Sequence, residues 1–202
     1  MTKTADSHAP ASERAAPPKS ARERILEVAT DLFYREGIRA VGVDTIVARS
    51  GVAKMSLYRS FPSKDDLVVA FLTDADQRYW AWWDRVVARH AEPRAQLGAI
   101  FRALAKKIAS PSYRGCPFVN TATEFPDPDH PGRAVALANK RALRARFGAL
   151  AAAAGARDPE RLADQLQLLM DGAYATGSLL GGAESGSALV EAADALIAAQ
   201  LD

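Results

Sequence analysis

Lys54, Ser56, Tyr58 and Arg59 are clustered polar side chains of the kind that donate to phosphate oxygens and base edges. They interleave with Leu57 and Phe61, apolar at i and i+4, so one face of a short helix is core and the other is free. Met55 adds apolar surface suited to a thymine methyl. Upstream, Thr45 belongs to the run Val43 to Ser50, whose Ile46 and Val47 face inward. Gly51 follows, where a residue free to take positive φ can stop one helix and redirect the chain. Helices this short are not stable alone. Packed on a neighbour and exposing donors, the second has the form of a DNA-reading helix-turn-helix.

Cys116 is the single cysteine, which leaves a free thiol or a bridge between subunits. It stands beside Gly115 and Pro117 with Arg114 two residues away, so a thiolate that reacts with oxidants or electrophiles is one reading. A buried packing thiol is the other. As the nucleophile of a helical enzyme, Cys116 lacks a local oxyanion hole and an orienting partner. Cys116, Asp127, Asp129 and His130 make a poor metal set, because the other histidines are far away in sequence and acids between prolines mark turns and caps. Neither a catalytic set nor a metal or other cofactor is expected.

These groups are positioned by helices. Hydrophobic content of 49% with 25% charged residues is globular, and no apolar run reaches the length of a membrane span. The N-terminus has no signal-peptide h-region, so a cytoplasmic protein with no membrane partner is expected. The net charge is only +2, so DNA binding requires local clusters of Lys and Arg. Residues 1–20, rich in Ala, Pro and Ser, read as a disordered tail. Ser20 with Glu23 forms a capping box for a helix to Glu36 whose core face is Ile25, Ala29, Leu32 and Phe33. Pro62 and Ser63 break the chain before a long helix from Lys64 to about His90, with Leu67, Phe71, Ala75, Tyr79, Trp82 and Val86 on one face.

Further helices follow from Pro93, around Phe118 to Glu124, from Arg133 to Ala154, from Pro159 to Leu180, and from about Ser187 to Ala199 after a stop at Gly181-Gly182. The Arg133 to Ala154 helix carries Arg133, Lys140, Arg141, Arg144 and Arg146, read as solvated exterior charge. In the next, Leu162, Leu166, Leu169, Ala173, Gly177 and Leu180 form one apolar stripe, and Leu168, Gly172 and Leu179 a second. A helix apolar on two sides is buried on two sides. The last two helices therefore predict a homodimer through a four-helix interface.

Ile46, Ala48, Gly51, Val52, Leu57, Tyr58, Phe61, Lys64 and Leu67 together resemble the DNA-binding domain of the TetR/AcrR family, including its Leu-Tyr pair and the later Lys. Gly42, Ala53 and Met55 depart from the pattern, at the start of the first reading helix, after Gly-Val, and at a usually small position. Those changes bear on the operator sequence. The resemblance implies an all-α fold, with a three-helix head over 21–66 and a ligand-binding and dimerisation domain over 67–202. It also implies that Arg22 and Lys64 reach DNA phosphates. The expected function is a repressor on a pseudo-palindromic operator, half-sites about 34 Å apart or more, released by a small hydrophobic or aromatic effector. The partners are thus double-stranded operator DNA, the effector and a second copy of the chain. Tyr79, Trp83, Phe101, Leu104, Phe118 and Asn120 are candidate pocket residues, joined by Cys116, Asp171 and Tyr174. Asp171 interrupts an apolar helix and is either tied to a neighbour or aimed into the pocket.

Overall fold

Ser20 caps the first helix. Its hydroxyl accepts the Glu23 amide at 3.2 Å, and the Glu23 carboxylate takes the Ser20 amide at 2.7 Å. This reciprocal cap opens α1 (Ala21–Glu36), and Gly37 closes it at φ 90°. The computed structural model describes residues 19–201, the side chains of 182–184 excepted. The stretch 1–18 of the expected tail lies outside the described residues.

Two short helices follow, α2 (Val43–Ser50) and α3 (Lys54–Ser60). Gly42 and Ala53, their N-caps, supply no side-chain hydrogen bond, and Gly51 turns the chain at φ 61° and ψ 28°. Helices with such weak ends hold through packing: Ile46, Leu57 and Phe61 join Ile25, Ala29 and Leu32 in one buried cluster. Ser63 and Asp66 then make a second reciprocal cap, which the sequence reading missed, and α4 (Lys64–Val87) leaves the head.

The remaining helices are α5 (Pro93–Ile108), α6 (Pro117–Glu124), α7 (Pro131–Ala153), α8 (Pro159–Leu180) and α9 (Gly182–Leu201). Among the described residues the chain is all helix, without a strand. α5 packs on α9, α7 on α8 and on α6, and α4 runs against α5 and α7. No helix of the described residues is long and apolar enough to cross a membrane.

Five expectations need correction. The buried stripe of α4 turns to Trp83, not Trp82, which is only half-buried. Trp83 meets the Phe147 ring edge-on at 5.1 Å, and Phe147 stacks on Phe101. α7 begins at Pro131, because His130 Nδ1 accepts the Gly132 amide and caps it. Of its basic residues Arg141 is exposed as expected, while the others are paired. Arg133 donates to the carbonyls of Ala122 and Phe125, Lys140 pairs with Asp171, Arg144 with Asp164 and Glu160, and Arg146 with Asp84. Finally, Gly181-Gly182 makes no long break, since α9 starts at Gly182. Leu180 also belongs to the outer face of α8: with Leu168 at 74% and Leu179 at 83% exposed, it is 73% exposed.

Candidate nucleic-acid interface and effector cavity

The outer side of α3 is open. Met55 is 73% and Tyr58 41% exposed, and Arg59 and Thr45 are exposed beside them. Lys54 pairs with Asp44 at 2.7 Å, which raises its pKa. Ser56 is half-buried, and its carbonyl accepts the Ser60 hydroxyl at 2.9 Å. Arg22, exposed on α1, lays its guanidinium 4.8 Å from the Phe61 ring centroid, so the reading helix and the start of α1 share one edge. A row of donors on a helix braced by two others suits groove insertion.

Lys64 points elsewhere. Its ammonium lies 6.0 Å from the Phe33 ring, and burial lowers its pKa against the opposing pull of Glu124 and Asp65. Glu124, at the end of α6, is the larger of the two negative influences on it. Lys64 is thus half-buried at the start of α4, its side chain leaning toward Phe33. Glu124 also accepts the Arg39 amide at 2.8 Å, in the turn between α1 and α2. At the other end of α6, the Tyr34 hydroxyl donates to the Gly115 carbonyl at 3.2 Å and accepts the Arg114 amide at 3.0 Å. The head is thus attached at both ends of one two-turn helix.

Between the head and that helix lies a cavity of about 770 Å³. α1 contributes Leu26, Thr30 and Tyr34, and α4 contributes Phe71, Ala75 and Tyr79. Cys116, Pro117, Phe118, Tyr174 and Lys107 complete the inner wall, with charged side chains from Lys19 to Arg78 around it. Burial raises the pKa of Tyr34, Tyr79 and Tyr174, so these phenols stay protonated donors. The Tyr79 hydroxyl lies 3.5 Å from Met170 Sδ. A largely apolar chamber with a few polar groups is the usual form of a small-molecule site.

Residues 25–71 match the sequence profile described as bacterial regulatory proteins, tetR family. SCO4454, a TetR-family transcriptional regulator from Streptomyces coelicolor, superposes with a TM-score of 0.87 at 34% identity, over 90% of this chain and 96% of that one. The chain belongs to the TetR family of transcriptional regulators. The helix-turn-helix regulator YjdC of Escherichia coli is 26% identical over 152 residues, 75% of this chain and 80% of that protein. The transcriptional repressor KstR2 of Mycobacterium tuberculosis is 32% identical over 84 residues, 42% of each chain.

In this TetR-family chain, four of the residues expected around the pocket, Tyr79, Cys116, Phe118 and Tyr174, border one cavity. Trp83, Phe101 and Leu104 do not, because they fill the core shared with Phe147. Asn120 is a loop staple: its amide donates to the Arg114 carbonyl at 3.0 Å and its side chain lies over Gly115. Asp171 is held by Lys140, the tied alternative of the two expected. Cys116 is buried at 6% exposure as the N-cap of α6, not open to solvent. Asp127 accepts the Asp129 amide in a turn, and His130 stacks on Phe125 at 3.8 Å. The part of the cavity that sequence reading missed is α1. Thr30 and Tyr34 sit on the polar side of a head helix, and nothing local signals that the body closes over them.

Proposed function

We propose that this TetR-family regulator is a homodimeric repressor, released from a pseudo-palindromic operator by a small molecule in the cavity. The observation that carries the reading is the cavity's position. It has the head's α1 as one wall and α4 and α6 as others, so an occupant touches both the reading module and its supports. A ligand shifts DNA affinity only through its differential affinity for two conformers. Here the conformers differ in how Tyr34 and Arg39 of the head meet the two ends of α6. Repression is supported by the partial likeness to KstR2.

Dimerisation is supported by α8 and α9. Leu168, Gly172, Ala175 and Leu179 leave an apolar stripe exposed, beside Ala188, Ala195 and Ala199 of α9. Small residues there admit close helix approach, and a two-fold axis through them presents two copies of α3. Tyr58, Arg59, Thr45, Met55 and Lys54 are the proposed DNA-contacting residues, with Arg22 on a flanking phosphate. Because Cys116 borders the cavity, an electrophilic effector that alkylates its thiol is the second reading.

The test is selection of duplexes from a random library by the full chain. A pseudo-palindrome bound by one dimer is expected, with Arg59→Ala weakening binding at that site. No enriched sequence, or a monomer on the duplex, would overturn the proposal. Release by a non-thiol-reactive compound that Cys116→Ser retains excludes the covalent variant.

A further inference from the structure

The charged groups around the cavity are almost all matched. Glu27 pairs with Lys19 at 2.6 Å, Asp31 with Arg35 at 2.7 Å, and Asp74 with Arg78 at 2.7 Å. Glu23 is occupied by the amide and hydroxyl of Ser20. Lys107 is the exception among the described lining residues. Its side chain is exposed overall, but its ammonium lies over the rings of Tyr79 and Trp82, at 5.9 and 5.4 Å from their centroids, with no carboxylate among the described residues paired to it. Desolvation by this wall lowers its pKa. Ring faces attract a cation but do not neutralise it. A second polar group is also unmatched: Thr30 Oγ1, buried on the α1 wall, has no hydrogen-bond partner among the described residues. A buried hydroxyl without a partner is costly, and in a cavity wall it marks a contact that a ligand completes.

We propose that the ligand of this cavity is an anionic amphiphile, with its carboxylate-type head on Lys107 Nζ and its apolar body along Phe71, Tyr79, Phe118 and Tyr174. The proposal rests on the cavity being the effector site. A cationic ligand is disfavoured, because each lining acid already has a partner and the ammonium of Lys107 would repel it. A neutral ligand leaves that ammonium uncompensated. Charge-assisted pairing in a partly desolvated site supplies both affinity and orientation.

Decanoate, decanamide and decylammonium share one body and differ in head charge. Their binding to the full-length protein is followed by tryptophan emission, Trp82 lying beside Lys107, and by calorimetry. Decanoate is expected to bind at least about tenfold tighter than the other two, the scale of one charge-assisted contact. Lys107→Met erases that preference while leaving decanamide affinity in place, and Lys107→Arg keeps it. Ala75→Phe, which fills the chamber, abolishes binding of all three. Equal or tighter binding of decanamide or decylammonium, or a preference that survives in Lys107→Met, overturns the anionic head and leaves the cavity standing. Decanoate binding that persists in Ala75→Phe places the probe elsewhere and overturns the proposal. Failure of all three to bind the wild type removes the cavity reading, and the proposal falls with it.

Discussion

Replacing Tyr34 with Phe removes one oxygen and keeps the ring, so the wall of the cavity is undisturbed. That oxygen joins the head to the loop before α6 through two hydrogen bonds, at 3.2 Å to the Gly115 carbonyl and 3.0 Å from the Arg114 amide. At about 0.5–1.5 kcal/mol net per bond, their loss costs about 1–3 kcal/mol. In a chain of this size that corresponds to a fall in Tm of about 2–12 °C. Thermal unfolding by circular dichroism reads the total, and hydrogen exchange at the Arg114 amide reads the bond itself. Exchange at Arg114 rises while amides inside α1–α3 keep their protection relative to global unfolding. The selected duplex is bound with an altered affinity but an unaltered base preference, because the side chains proposed to face DNA are untouched. A Tm within about 1 °C of wild type, together with unchanged Arg114 exchange, would refute the attachment of head to α6 by Tyr34.

Asp44→Asn frees Lys54 from its exposed carboxylate and removes a charge that repels phosphate. Affinity for the selected duplex should rise about two- to fivefold, with a log–log salt slope steeper by up to about one; unchanged values would show that Lys54 does not reach DNA. Gly177→Ala places a Cβ 2.8 Å from Ile108 Cβ, so overpacking of about 1–3 kcal/mol outweighs a helix gain of up to about 1 kcal/mol, and the urea midpoint falls. Gly148→Ala, whose nearest neighbour is a flexible Glu160 oxygen at 3.4 Å, serves as the control that does not fall. Burial raises the pKa of Tyr79, Tyr113 and Tyr174, so above about pH 10 the folded state keeps protons that the unfolded state releases. Their contribution is fully present below that pH and is lost as pH rises through their folded values. Urea unfolding at pH 9 and 11 should therefore show a smaller alkaline loss in Tyr174→Phe than in wild type, and identical losses would contradict burial of that phenol.

Helix starts and core faces were legible because they are written locally. Ser20 with Glu23 is a cap that spans three residues, and Ile25, Ala29, Leu32 and Phe33 repeat at helical spacing. The reading helix was legible for the same reason: Leu57 and Phe61 fix which side of α3 is buried, so Tyr58 and Arg59 must face out. The lean of Lys64 toward the body has no local sign, because Glu124 is sixty residues away in sequence. Likewise, the adjacent Trp82 and Trp83 carry no sign of which ring turns inward, since Phe147 decides that from α7. The basic row of α7 looked solvated because its acids lie on α4 and α8. Tertiary pairing of this kind leaves no periodicity within a single helix.

The eight residues of α6 hold the head, yet little in α6 holds itself. Cys116 gives it no side-chain cap, and the carbonyls of Ala122 and Phe125 at its far end are taken by Arg133 of α7. Two turns of helix are far below the length that is stable alone. Its order is borrowed from the cavity wall on one side and α7 on the other, where Phe118 and Thr121 are buried. On the proposed reading, whatever disturbs those borrowed contacts changes how the head sits without unfolding the head itself. An element ordered only by its neighbours in this way couples the state of the cavity wall to the placement of the head, and DNA affinity is then expected to fall at temperatures where helical content, followed by circular dichroism, is still intact.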